Sequence, residues 1–236
     1  MKDTVAIVSG GMDSTTLLYR LRDRGFNVVQ ALSFNYGQRH SKELSYAART
    51  CYKLFIPWEI FYLDQIAPLI TVSGSSLVSD TEVPEGHYAE DNMKQTVVPN
   101  RNMVMLAIAG AVAVAKKAEF LATGVHAGDH FVYPDCRPDF VDAFERALLI
   151  GNEGFIHDQF TVLAPYLHKS KAEIAREGVD LGLDYAETWS CYKGGDLHCG
   201  RCGTCVERLE AIAEADAIDT SEYEDNEYWK TVIENA

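Results

Sequence analysis

The stretch Val5–Leu18, VAIVSGGMDSTTLL, decides the fold. Thr4–Val8 is a short apolar run of β-forming residues and reads as a buried strand. Asp13–Arg24 has helical spacing, with Gly25 just past its end. Between them lie Ser9, Gly10 and Gly11, at the carboxyl end of the strand, where open α/β sheets bind their ligands. Two glycines allow the backbone to approach a ligand where a Cβ would block it. The helix start adds unpaired N–H groups and a positive dipole, and Ser9 and Ser14 add hydroxyls, so the turn suits an anion such as phosphate. A bare carboxylate at Asp13 would repel phosphate, so Asp13 is expected to cap the helix or to reach a Mg²⁺ that accompanies a nucleotide. The stretch is neither G-x-x-x-x-G-K-[ST] nor G-x-G-x-x-G.

Outward from this turn, β-rich runs alternate with helical patterns. Asn27–Phe34, Trp58–Leu63, Glu119–Thr123 and Phe160–Pro165 are predicted strands. Helices are predicted over Ser41–Leu54, from Arg101 onward, over Pro138–Gly151 and near Val206–Ala215. This alternation predicts an α/β fold: a doubly wound, mainly parallel five-stranded sheet covered on both faces. A long polar segment, roughly Ser73–Thr96, reads as a lid, a binding loop or a disordered segment. From Cys191 onward the character changes to a cysteine-rich segment, a short helix and an acidic tail. The division expected is an α/β domain over 1–185 and a small C-terminal appendage over 186–236.

The chain has 236 residues, 47% of them hydrophobic and 24% charged, enough for a substantial core. A formal net charge of −14 argues against a surface built to grip nucleic acid. The longest apolar run, Met103–Ala115, falls short of the roughly 20 residues a bilayer span needs and reads as a core helix. No signal-peptide pattern follows Met1, and a cytoplasmic protein with no membrane partner is expected.

Six cysteines are present, four of them in TWSCYKGGDLHCGRCGTC. Cys191 followed by Cys199-x-x-Cys202-x-x-Cys205 can place four thiolates on one tetrahedral centre. A closed Cys₄ set leaves no coordination position open, which favours a structural Zn²⁺. His198 is a substitute ligand by position. An iron–sulfur cluster and a redox C-x-x-C pair are the rival readings.

Further polar clusters follow the other strands: FNYGQRH (Phe34–His40), PNRN (Pro99–Asn102), TGVHAGDHFVYPDCRPDF (Thr123–Phe140) and HKSKAEI (His168–Ile174). Each alone is ordinary loop chemistry; four at one predicted sheet edge suggest a site. S-G-G-x-D-S after the first strand resembles the PP-loop ATP pyrophosphatase superfamily. Taken in order, SGGMDS, FNYGQRH, PNRN, YPDCRPDF, SKAEI and TWSCY…CGRCGTC resemble the 7-cyano-7-deazaguanine synthase family, from about Val5 to Leu209.

That resemblance implies an adenine nucleotide alpha hydrolase-like fold and an ATP-dependent ligase that joins 7-carboxy-7-deazaguanine and ammonia through adenylated acid and amide intermediates. It implies Zn²⁺, ATP with Mg²⁺, and a homodimer. ATP would be held by Val8, Ser9, Gly10, Gly11, Met12, Asp13, Ser14, Thr15, Thr16, Leu17 and Leu18. Asp13, Ser14, Arg101 and Lys171 are the candidate catalytic residues, with Arg101, Arg137 and Lys171 neutralising phosphate or orienting the substrate carboxylate. Asp135 would accept from the guanine-like edge of the base, Tyr36 or Tyr133 would stack on it, and Gln38 would join them. The chain departs from the family pattern at Phe131, Val132 and His126, and bulk there is expected to narrow the base pocket. An enzyme that stops at the 7-amido product, or a PP-loop tRNA-modifying enzyme, is the alternative.

Overall fold

A computed structural model describes residues 2–63, 65, 69, 75–79, 81–87, 91–130 and 132–234; for 91, 92, 129 and 130 the backbone alone is described. The strands are β1 Lys2–Ile7, β2 Phe26–Asn35, β3 Trp58–Tyr62, β4 Phe120–Ala122 and β5 Thr161–Leu163. They form one five-stranded sheet in the order β3-β2-β1-β4-β5, and every pairing is parallel. All five expected strands are present. The last two are shorter than expected, and the predicted end of β5 at Pro165 offers the ladder no N–H.

The helices are α1 Met12–Asp23, α2 Glu43–Lys53, α3 Arg101–Ala115, α4 Pro138–Gly151, α5 Lys171–Asp180, α6 Gly203–Glu214 and α7 Tyr228–Ile233. Pro138 opens α4, where its missing N–H costs nothing. The structure adds α5, and α7 in the acidic tail, to the expected helices. The start of α5 is a capping box in which Ser170 accepts from the Glu173 backbone while the Glu173 side chain accepts from the Ser170 backbone.

The strand period of two sends neighbouring residues to opposite faces. Val5, Leu32 and Phe34 pack with Leu106 and Ala109 of α3 and Phe144 of α4. Ala6, Val8 and Ala31 face the other way, against Leu17 and Leu18 of α1, Ala47 of α2 and Ile174 of α5. Burying a side chain of this kind contributes roughly 2 kcal/mol. The chain therefore winds from β1 out to β3, then crosses to β4 on the far side of β1. That reversal opens a crevice at the carboxyl ends of β1 and β4, the switch point of the sheet.

Together with the 3₁₀ turn Asp91–Thr96 that leads into it, α3 lies in a stretch Met93–Ala115 of 23 residues, longer than the sequence suggests, whose most apolar 18 residues have a mean hydropathy of 1.5. Length and composition alone would let it cross a membrane. Leu106, Ala109, Gly110 and Ala113 are nevertheless buried in the core, and α3 packs on β1, β4 and α4. Of the long polar segment, residues 73, 74, 80 and 88–90 lie outside the described residues. The described parts are packed in place: Leu77 is buried, Arg39 N–H donates to its carbonyl at 3.0 Å, and Ser76 N–H donates to Gln95 at 2.8 Å.

The C-terminal segment is fastened by Arg208 of α6, which is fully buried. Its guanidinium donates to the Asp219 carboxylate at 2.7 Å, to Thr188 Oγ1 at 2.7 Å and to the Tyr185 carbonyl at 2.6 Å. Burial pushes the Asp219 carboxyl up, but Arg208 outweighs it and holds the group well below its ordinary value. Asp219→Ala is expected to cost about 3–5 kcal/mol at neutral pH, since it strands a buried charge. A carboxyl depressed in the folded state contributes fully above its unfolded value of about 3.9 and is lost as pH falls toward the folded one. Urea titrations should therefore show a wide wild-type-to-variant gap at pH 7 that closes only in acid.

Candidate active site

The glycine turn folds around one hydroxyl. Ser14 Oγ accepts from the Ser9 N–H at 3.2 Å and the Gly10 N–H at 3.3 Å, and lies 3.0 Å from Ser9 Oγ. Gly10 has φ +95°, and a Cβ there would sit 2.1 Å from the Glu43 carbonyl oxygen. The turn is thus seated directly on the start of α2. Gly124, just after β4, packs on the opposite side, where a Cβ would come within 3.3 Å of the Ser14 nitrogen.

Not all of the expected nucleotide stretch faces the crevice. Val8, Ser9, Gly11, Met12, Asp13 and Ser14 line it. Gly10 is spent on α2. Thr15, Thr16, Leu17 and Leu18 are buried behind the wall, Thr16 donating to the Met12 carbonyl at 2.8 Å and the leucines filling the core. A helix that carries a site at its first turn must turn its later residues to the sheet.

Asp13 and Lys171 meet across the crevice at 2.7 Å, Asp13 from the first turn of α1 and Lys171 from that of α5. His126 Nε2 lies 3.2 Å from the Lys171 ammonium, and Glu207 of α6 lies 3.4 Å from it. Burial pushes the Asp13 carboxyl up, but Lys171 and His126 prevail and hold it below its ordinary value. Its second oxygen, Oδ1, is buried with no hydrogen-bond partner among the described residues. A carboxylate oxygen left in that state suits a cation arriving with a ligand.

On the facing wall, the Arg101 guanidinium lies 5.9 Å from the Tyr36 ring centre and 5.6 Å from that of Tyr133. It also donates to the Tyr36 hydroxyl at 3.3 Å, while the Tyr133 and Thr96 hydroxyls pair at 2.5 Å. This places two aromatic faces and a planar cation where a flat heterocycle with a carboxylate could bind. Three of the expected substrate contacts lie off the crevice lining. Asp135 does not line the crevice; its carboxylate caps α3 by accepting from the Asn102 N–H at 3.2 Å. Arg137 is exposed at the start of α4 and lies outside the lining. Gln38 is buried behind it, bracing its own loop through the Tyr36 N–H at 2.9 Å and the Phe34 carbonyl at 2.9 Å. Val132 is buried against Met93 and Cys136 and is not itself among the lining residues. His126 belongs to the Asp13–Lys171 group, and Phe131 lies outside the described residues.

A family model described as queuosine biosynthesis protein QueC matches residues 3–216. The chain belongs to the QueC family. It is 50% identical over 230 residues to the 7-cyano-7-deazaguanine synthase of Rhizobium leguminosarum bv. trifolii, spanning 98% of this chain and 95% of that protein. Against the proteins of the same name from Brucella anthropi and Ruegeria pomeroyi the identities are 50% and 48%, each over 231 residues, covering 98% of this chain and 97% and 98% of theirs.

In this QueC-family chain the cysteine cluster forms the crevice's outer support. The sulfurs of Cys191, Cys199, Cys202 and Cys205 are buried and lie within 4.8 Å of one another. Cys199 and Cys205 sulfurs are 3.9 Å apart, close to the roughly 3.8 Å edge of a tetrahedron with 2.3 Å metal–sulfur bonds. The backbone N–H groups of Arg201 and Cys202 point to the Cys199 sulfur at 3.4 and 3.3 Å, as thiolates in a metal knuckle require. The four residues thus fit one metal ion. His198 is not the fourth ligand: its Nε2 accepts from the Ser190 N–H at 3.3 Å and its ring stacks on Trp189 at 4.2 Å. From this segment Trp189, Ser190, Tyr192, Thr204 and Glu207 reach the crevice wall.

Two residues outside the sequence reading stand out. Glu207 was hidden in a short helix beyond the cysteines, with no local pattern to mark it. Glu43 opens α2 with its side chain largely buried, 12% exposed, and lines the crevice with His40. Burial pushes the Glu43 carboxyl up to about 8, against a lowering from Gln38 and Arg101, and pushes the His40 imidazole down to about 3. The signal available was the His40-x-x-Glu43 spacing at a helix entry, three residues that bring both side chains together.

Proposed function

We propose that this chain is an ATP-dependent carbon–nitrogen ligase that converts 7-carboxy-7-deazaguanine and ammonia into 7-cyano-7-deazaguanine, the role its relatives' name describes. The observation that carries the reading is the convergence, at the switch-point crevice of a QueC-family chain, of the Ser9–Ser14 turn, the Asp13–Lys171 pair and the Tyr36–Arg101–Tyr133 stack.

The substrate carboxylate is a poor electrophile, so its oxygen attacks the α-phosphorus of ATP and pyrophosphate leaves. Ammonia then displaces AMP from the acyl carbon and gives the amide. The amide oxygen attacks a second ATP in the same way; loss of AMP and of both protons from nitrogen leaves the nitrile. The N–H groups of the first turn of α1 and the α1 dipole stabilise charge on the departing pyrophosphate. Asp13 would hold a Mg²⁺ through its free oxygen, and Lys171 neutralises phosphate. Arg101 orients the carboxylate between Tyr36 and Tyr133.

In this reading the metal of the cysteine knuckle is Zn²⁺, which suits four thiolates at single-ion spacing, since a cluster of several irons would hold the sulfurs farther apart. The enzyme works in the cytoplasm as a homodimer, with no nucleic acid or membrane partner. The partly exposed apolar side chains of α3, Met103 among them at 37%, suit burial against a second copy.

Incubation with ATP, Mg²⁺, ammonium and 7-carboxy-7-deazaguanine should yield the nitrile mass, two ATP consumed per product, and AMP with pyrophosphate. Amide alone with ATP in excess would reject the nitrile step, and ADP with phosphate would reject attack at the α-phosphorus.

A further inference from the structure

We propose that His40 and Glu43 form the ammonia subsite, and that Glu43 takes the proton that turns bound ammonium into a nucleophile. The proposal rests on the ligase reading above and concerns the step after the acid is activated.

Ammonia exists mostly as ammonium near neutral pH, and ammonium has no lone pair to attack with. A site for it needs acceptors for its N–H groups, one of them basic enough to remove a proton. Both are present beside the nucleotide turn. His40 Nε2 lies 3.5 Å from Glu43 Oε1, and when it donates there the neutral ring leaves Nδ1 as an acceptor. Nδ1 is buried and has no hydrogen-bond partner among the described residues, a cost that an incoming N–H donor would relieve.

Glu43 supplies the base. Among the described residues it has no lysine or arginine within ion-pair distance; its polar neighbours are Gln38, donating at 3.3 Å, and His40. A largely buried carboxylate with no fixed cation favours a small mobile one. The other charged or titratable groups facing this corner are Arg101 and Tyr36 from the crevice wall and Tyr192, whose ring lies 5.0 Å from that of His40. The raised proton affinity of Glu43 brings it toward that of an amine, which is what proton transfer between them requires.

Position follows from Gly10. The turn's backbone lies against the Glu43 carbonyl, so the carboxylate opens into the same crevice as the turn. The protons balance as follows. Ammonium gives one to the Glu43 carboxylate, and its freed lone pair attacks the acyl carbon. A second passes from the nitrogen to the phosphate of the departing AMP or to solvent as the adduct collapses, and AMP leaves with the carbon–oxygen electron pair.

The test is Glu43→Gln in the full chain, with two nucleophiles and one control. Hydroxylamine is a free base at neutral pH and needs no proton removed before attack. The variant should lose about 10²-fold in kcat/KM for ammonium. It should keep wild-type activity with hydroxylamine and wild-type acid-dependent ATP–pyrophosphate exchange in the absence of either nucleophile. Glu43→Asp should recover part of the ammonium rate. Equal loss with both nucleophiles, loss of exchange, or an unchanged ammonium rate would overturn the proposal. Absence of exchange in the wild-type enzyme would instead sink the adenylation reading on which it rests.

Discussion

Replacing Asp13 with alanine is expected to lower turnover by about 10³-fold, the scale seen when a charge-stabilising group is removed from a reacting centre. Asp13 is the crevice residue with the most to lose: one oxygen is engaged by Lys171 at 2.7 Å, and the other is buried and unpartnered among the described residues. Without it the free oxygen that would hold Mg²⁺ is gone, and Lys171 is left to Glu207 at 3.4 Å. Because that second partner remains, stability should fall by no more than about 2 kcal/mol. Steady-state rates and a thermal melt on the same sample separate the two effects. Wild-type turnover in a well-folded variant would remove Asp13 from the chemistry, and Asp13→Asn should be nearly as impaired, since it keeps the shape but not the charge.

Cys202→Ser should cost the chain its metal and much of its C-terminal order. Metal–thiolate binding is worth roughly 10 kcal/mol in small folded metal sites, so a three-cysteine remnant is a large loss. The consequence spreads because Cys202 sits at a junction. It caps α6, its backbone pairs with that of Glu85, and the Glu85 carboxylate is gripped by Lys193 at 2.6 Å and Arg201 at 2.9 Å. Elemental analysis should show less than stoichiometric metal, and calorimetry a lowered transition. Cys51→Ser, in the core between α2 and the sheet, is the control that should keep its metal. Full metal content and an unchanged melt in Cys202→Ser would dismiss the knuckle.

The sheet was legible because its strands are short apolar runs bounded by turns, and the Ser9–Ser14 turn because strand end, glycines and helix start coincide. The cysteine knuckle was legible from spacing alone. What sequence could not resolve was which polar residues in a loop face inward. Asp135 and Arg137 lie in the same YPDCR segment as Tyr133 and Cys136, yet of these four only the tyrosine and the cysteine line the crevice, because the acid is drawn to the amino end of α3. Glu43 and Glu207 were missed for the converse reason: a lone acid on a helix looks like a solvated one until another element covers it.

The crevice is assembled from segments far apart in the polypeptide. Ser9–Ser14 leave the ribosome nearly 200 residues ahead of Thr204 and Glu207, which complete the opposite wall. A nascent chain can form its glycine turn early but has no enclosed chamber until the cysteine segment has been translated and has captured its ion. If the ligase reading holds, a chain that stops short of this segment has no chamber in which to use ATP, and one whose cysteines fail to take up an ion is expected to be idle.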